Sequence, residues 1–217
     1  MSRANGPHMG FGTMATMTSA VKKMPAKSSA PKATAIGQVY QLRIDLRGVK
    51  PKVWRRVLVP GTMTLAQLHH VIQAAMGWRN SHLHEFIIDE QRYGDPDPGW
   101  DEEGGVISDR KVTVAKAMRG CGSARYIYDF GDDWDHKLTL EPPAARYLGM
   151  KMPVCTDGKS ACPPEDCGGP YGYAHFLEAV ADPKHPEHAE LIEWVGRPWD
   201  AAAFSIDGAN RAINRLR

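Results

Sequence analysis

The chain has no apolar run near the roughly 18 residues a membrane span needs, and no signal-peptide pattern opens it. A cytoplasmic protein with no membrane contact is therefore expected. In a cytosolic chain the four cysteines, Cys121, Cys155, Cys162 and Cys167, read as thiols or metal ligands in preference to disulfides. Residues 1–37 lack any acid while holding Arg3, Lys22, Lys23, Lys27 and Lys32. This basic leader also lacks a periodic apolar face, so disorder is expected there. Of the 27 Lys and Arg residues, five fall in the leader, so 22 face 25 acids in the remainder, a net of −3. That balance is not a phosphate-binding surface, which needs clustered Lys and Arg. Electrostatic attraction to nucleic acid would come mainly from the leader.

Several catalytic signatures are missing too. The histidines include no HEXXH pair, no glycine-rich phosphate loop with its lysine is present, and GPYGY (Gly169–Tyr173) lacks the strand–loop–helix context of a phosphate cradle. No twelve-residue calcium loop ends in glutamate.

What is present reads as one α+β domain over 38–217. YQLRIDL, Tyr40 to Leu46, alternates apolar and polar residues as a half-buried strand, and VWRRVLV, Val53 to Val59, pairs back before Pro60-Gly61 stops it. Thr64 caps a helix with Gln67 at the capping-box position, Leu65, Leu68, Val71, Ile72 and Ala75 give it one apolar face, and Gly77 ends it. Ser81–Asp89 reads as a strand, Gly94–Gly105 as an exposed loop and Val112–Arg119 as a short helix. A hairpin then runs through Tyr126, Tyr128 and Phe130, turns at Gly131–Asp133, and returns through Trp134, His136, Leu138 and Leu140. Gly149–Gly172 should lack regular structure, and a loop that long is commonly functional or pinned. Helices are expected at Tyr173–Ala181 and His185–Val195, with a last short element around Phe204 and Ile206. The sheet should be mixed or mainly antiparallel, opened by a ββα unit and covered by C-terminal helices. That order is compatible with a β-grasp-like core, by fold-level analogy.

Four constellations carry potential chemistry. Cys155, Cys162 and Cys167, spaced C-x6-C-x4-C, could bind zinc with His136 or Cys121 as fourth ligand and so pin the loop. Standard sites contain C-x2-C knuckles, which this spacing lacks, and small buried thiols are the alternative. The acidic hairpin Asp129, Asp132, Asp133, Asp135 and His136, with Glu165 and Asp166, could hold a divalent ion that activates water. Aspartates at a turn also satisfy backbone donors without catalysis. On one strand His82 and His84 would share a face as co-ligands, though core histidines are commoner; adjacent His69 and His70 point two ways. Trp54, Arg55, Arg56, Trp78, Arg79, Tyr126 and Tyr128 could stack single-stranded bases, but Trp54 and Trp78 occupy apolar-face positions and a core role is favoured.

Together YQLRIDLRGVKPKVWRRVLVP, TLAQLHHVIQAAMGW, SHLHEF, YDFGDDWDH, CPPEDCGGPYGY and HPEHAELIEWVG resemble the plasmid pRiA4b ORF-3-like family, whose members are often labelled transposon-passenger or TnpR-like. The resemblance spans about Gln38 to Asn210 and implies a compact α+β domain without bringing an established activity. The recombinase label finds no support: no histidine is followed three residues later by arginine, and Ser2, Ser19, Ser28 and Ser29 lie in the leader. The expectation is a binding or accessory module associated with plasmid or transposon DNA, with an unidentified protein or nucleic-acid partner and a structural zinc as its candidate cofactor. The alternatives are a metal-dependent hydrolase using Asp132, Asp133, His136 and Glu165, and nucleic-acid binding through the leader.

Overall fold

A computed structural model describes residues 38–96, 105–144 and 150–216. The leader 1–37 and most of the predicted loop after Gly94 lie outside these residues. The fold is α+β: β1 (Val39–Leu46), β2 (Trp54–Pro60), α1 (Leu65–Met76), β3 (His84–Ile88), β4 (Gln91–Gly94), β5 (Val106–Ser108), α2 (Val114–Ala117), β6 (Ser123–Tyr128), β7 (Trp134–Glu141), β8 (Val154–Lys159), α3 (Gly169–Ala181), α4 (His188–Val195) and α5 (Ile206–Asn214). The eight strands form one sheet in the order β5-β4-β3-β6-β7-β1-β2-β8. Among the described residues only β4 and β5 pair in parallel.

Period-2 alternation sends one set of side chains to a single face, as an antiparallel sheet with one wet side requires. Leu42, Ile44, Phe86, Tyr126, Tyr128, Trp134 and Leu138 are buried, and α1 contributes Leu65, Leu68, Val71 and Ile72 to the same core. The helix starts with the expected capping box: Gln67 N–H donates to Thr64 Oγ1 and Thr64 N–H to Gln67 Oε1, a device worth about 1 kcal/mol. On the opposite face the side chains pair by charge. Arg56 bridges Glu141 at 2.6 Å and Asp157 at 2.9 Å, Arg43 meets Asp45 at 2.8 Å, and Arg43 and Arg56 both lie over the Trp54 ring. With Tyr126 and Tyr128 fully buried, that face offers no row of free rings for nucleobases.

Four expectations change. Trp54, expected in the core, is half-buried on the charged face beneath Arg43 and Arg56. The strand ends at Tyr128, and Phe130 lies in the turn, 48% exposed. Gly149–Gly172 is not structureless: β8 forms within it and pairs with β2, and α3 starts at Gly169, with Pro170 in its first turn. Strand β8 is at the sheet edge, where an unpaired backbone invites association. The Asn210 side chain of α5 blunts that edge, accepting from Cys155 N–H at 2.8 Å and donating to the Cys155 carbonyl at 2.9 Å. Finally, His82 precedes β3 and does not share a strand face with His84.

Candidate functional site

Three chain segments meet beside the hairpin turn: residues 78–82 after α1, the turn 129–133, and the loop 160–168 that follows β8. Asp129 shapes the turn, its Oδ1 accepting from Gly131 N–H at 3.0 Å and Asp132 N–H at 3.3 Å. Asp132 Oδ2 then accepts from Gly168 N–H at 3.2 Å, fastening the turn to the loop. The approach is so close that a Cβ on Gly169 would sit 2.5 Å from the Asp132 carbonyl oxygen, and one on Gly172 would sit 1.8 Å from the Cys167 carbonyl oxygen. These glycines serve packing between backbones, not a phosphate.

Glu165 completes the junction. Its Oε1 accepts from the Tyr128 hydroxyl at 2.6 Å and from Arg79 N–H at 3.1 Å, while Ser81 N–H donates to the same hydroxyl at 2.9 Å. Burial, and then the Glu165 carboxylate, push the Tyr128 pKa up, so the phenol stays a donor. Trp78 Nε1 donates to the Pro163 carbonyl at 3.0 Å. The loop is thus held to α1 and to the hairpin by polar clips.

The residues expected to cooperate in hydrolysis go separate ways. Asp132 and Glu165 are engaged as described, and Asp133 is exposed. His136 is fully buried under Trp78, its Nδ1 at 3.2 Å from the Tyr126 carbonyl and its Nε2 without a partner. Burial depresses its pKa to about 4, so it is a neutral ring in the core.

The cysteines are all free thiols. Among the described residues, no three of Cys121, Cys155, Cys162, Cys167 and His136 bring donor atoms within 4.8 Å of one another. Cys155 and Cys162 are buried and burial raises both thiols' pKa values; Cys167 is pushed up to about 12, by burial first and the Asp132 charge second.

A second buried cluster surrounds His69, which sequence spacing left as a weak signal. Its ring stacks on His84, centroids 3.5 Å apart at 8°, and its Nδ1 lies 2.8 Å from the Tyr126 hydroxyl, which also accepts from Gln73 Nε2 at 3.1 Å. Asn80 Oδ1 meets its Nε2, and His84 Nε2 lies 3.0 Å from Asp109. Burial, followed by the His84 charge, lowers the His69 pKa to about 3. This network joins α1 to the sheet through satisfied polar groups, the usual state of buried histidines.

Two trios of metal-capable donors lie within 4.8 Å: His82 with Asp129 and Asp166, and His175 with His185 and Glu187. In the second, His175 and Glu187 already bond each other and His185 Nδ1 accepts from Glu187 N–H. In the first, Nε2 of His82 is 3.0 Å from Asp166 Oδ1 and 3.5 Å from Asp129 Oδ2.

Next to this junction opens a cleft of about 1070 Å³. Its walls carry Trp78, Trp194, Trp199 and Phe204, and its polar groups include Arg79, Glu165, Asp166, Arg197 and Asp200. At its base Arg55, 2% exposed, donates to the carbonyls of Trp54, Ala75, Lys159 and Ser160 at 2.8–2.9 Å, and its guanidinium lies 4.1 Å from the Phe204 ring centre. Sequence reasoning missed this cleft, because Trp194, Trp199 and Phe204 come from a C-terminal stretch whose own periodicity says nothing about what it faces.

Comparison with known proteins agrees with this architecture. The model of the family described as Plasmid pRiA4b ORF-3-like protein matches residues 38–208. A curated Sinorhizobium fredii protein, described as uncharacterized protein y4hQ, is 44% identical over 186 residues, covering 83% of this chain and 93% of its own. The crystal structure of a Methanosarcina mazei Go1 protein of unknown function, MM3350, superposes with a TM-score of 0.68 at 34% identity, covering 78% of this chain and 96% of that one.

Proposed function

This chain belongs to the plasmid pRiA4b ORF-3-like family, and we propose that it is a non-enzymatic binding module whose cleft takes an extended peptide segment of a partner protein. The observation that carries this reading is the cleft lining. Four aromatic rings can receive apolar side chains, while Glu165, Asp166 and Asp200 stand beside Arg79 and Arg197. Mixed charge of this kind suits a polypeptide and opposes a polyanion, whose phosphates would meet three carboxylates. Aromatic and Arg residues are the usual anchors of such surfaces. The plasmid in the family's description supports an accessory role alongside mobile DNA.

The test is to pan a random peptide display library against the full chain and against Trp194→Ala, a ring that is 47% exposed and lines the cleft. Selected peptides should bind the parent and lose at least about tenfold in affinity with the variant, the 1.4 kcal/mol or more expected of an aromatic anchor. Failure to enrich any peptide, or enriched peptides indifferent to Trp194, would overturn the reading. Salt-sensitive binding of single-stranded DNA by the full chain, abolished by deleting residues 1–37, would favour the leader instead.

A further inference from the structure

We propose that His82, Asp129 and Asp166 form a binding site for a divalent first-row transition-metal ion, of which Zn²⁺ is the type. The three residues come from separate parts of the chain: the approach to β3, the end of β6 and the loop after β8. Their convergence is therefore a product of tertiary structure, unlike a run of neighbouring acids.

Distances argue for an ion between them. Bonds of about 2.1 Å from a metal to nitrogen and oxygen place adjacent donors about 3.0 Å apart at right angles and about 3.4 Å apart at tetrahedral angles. The observed separations from His82 Nε2 are 3.0 Å and 3.5 Å. A second observation concerns direction. His82 Nε2 is buried and makes no hydrogen bond, although two carboxylate oxygens stand this close. A protonated ring held only by ion pairing would aim its N–H at one of them; a nitrogen close to both and hydrogen-bonded to neither leaves its lone pair free to coordinate a shared centre. Charge points the same way, because two carboxylates around one imidazole retain a net negative charge even with the ring protonated, and a divalent cation neutralises it.

The supporting shell is present. Asp129 is held by two turn N–H groups through its Oδ1, which leaves Oδ2 directed at His82. The Asp132–Gly168 bond fixes the turn relative to the loop that carries Asp166. Such outer contacts orient ligands and tune their affinity. One imidazole with two carboxylates suits Zn²⁺ or Mn²⁺ better than Ca²⁺ or Mg²⁺, which favour all-oxygen sets. Three protein ligands leave a fourth position for water or for a group on a bound partner. Asp166 also lines the cleft, so the ion would sit at its rim.

The site is tested on the full chain, stripped with chelator and titrated with Zn²⁺ by calorimetry and with Co²⁺ by absorption. One ion per chain should bind, and the Co²⁺ spectrum should lack the thiolate charge-transfer band that cysteine ligation produces. Asp166→Asn alters a side chain that is 68% exposed and should fold normally. It should lose at least the roughly 10–100-fold in affinity that even outer-shell changes cost, as should His82→Gln, while Cys167→Ser should bind as the parent does. No binding, affinity unchanged in Asp166→Asn, or a thiolate band that disappears in Cys162→Ser would each overturn the assignment, the last giving the ion to the cysteine loop. Peptide binding in the cleft is read separately and can stand or fall without the metal.

Discussion

Two neutral histidines in the core should make this protein lose stability in mild acid. His69 titrates near 3 and His136 near 4 in the folded chain, against about 6.5 when unfolded, chiefly because burial disfavours the imidazolium. Both shifts are downward, so as pH falls below about 6.5 the unfolded chain takes up protons that the folded chain refuses. The full stability is present above that value and drains away toward the folded pKa values. At pH 5 each ring costs about 2 kcal/mol relative to pH 7, about 4 kcal/mol for the pair. That is a large fraction of the roughly 5–15 kcal/mol that keeps a domain folded. Urea denaturation at pH 7, 6 and 5 measures the loss as a falling midpoint at constant m-value. His136→Leu separates this from general acid effects. At pH 7 it leaves the Tyr126 carbonyl without its imidazole partner, costing about 1 kcal/mol, but it also removes an unpaired buried nitrogen. At pH 5 the variant should lose only about 2 kcal/mol, because one proton acceptor of the unfolded chain is gone. A midpoint constant between pH 7 and 5, or an acid slope unchanged by the substitution, would refute the reasoning.

Gly169→Ala should destabilise by about 1–3 kcal/mol or prevent folding, since φ is +67° and the new Cβ would meet backbone at 2.5 Å; a melting temperature equal to the parent's would contradict the proposed contact between turn and loop. Asn210→Ala should cost about 1–3 kcal/mol by unpairing both backbone groups of Cys155, and hydrogen exchange should quicken at β8 first; unchanged exchange there would count against the edge-blunting role. In the native protein at pH 8 an alkylating reagent should label half-buried Cys121 before Cys155, Cys162 or Cys167, whose thiols burial keeps protonated. Equal rates by mass spectrometry would show that the loop opens readily.

The ββα opening was legible because every local signal agreed: alternation in Tyr40–Leu46, the Pro60-Gly61 stop, the Thr64–Gln67 box and the Gly77 end all appear where the residues point. Strand β8 was not legible. Val154–Lys159 contains Asp157 and Gly158, both poor strand formers, and becomes a strand only because β2 and Asn210 supply its partners. Of the three residues of the proposed ion site, two, Asp129 and Asp166, stood in the acidic constellation and His82 stood in another. Nothing in the spacing could join them, because the joining contact runs from Asp132 to Gly168, 36 residues apart. His69 was discounted as one of two adjacent rings, yet its position on the apolar stripe of α1 was the available clue.

Arg55 has a mechanical consequence for whatever enters the cleft. One guanidinium grips the last turn of α1 at Ala75, the end of β8 at Lys159 and Ser160, and the ring of Phe204 that leads into α5. Like a keystone, it prevents those three walls from parting independently, and its bonds to Ala75, Lys159 and Ser160 hold only while the walls stay together. A guest therefore meets a mould cast before its arrival, with little reorganisation at the base. Adaptation is left to the outer lip, where Trp194 and Asp166 stand in solvent, so selectivity should be set deep in the cleft and the rates of entry and exit at its edge.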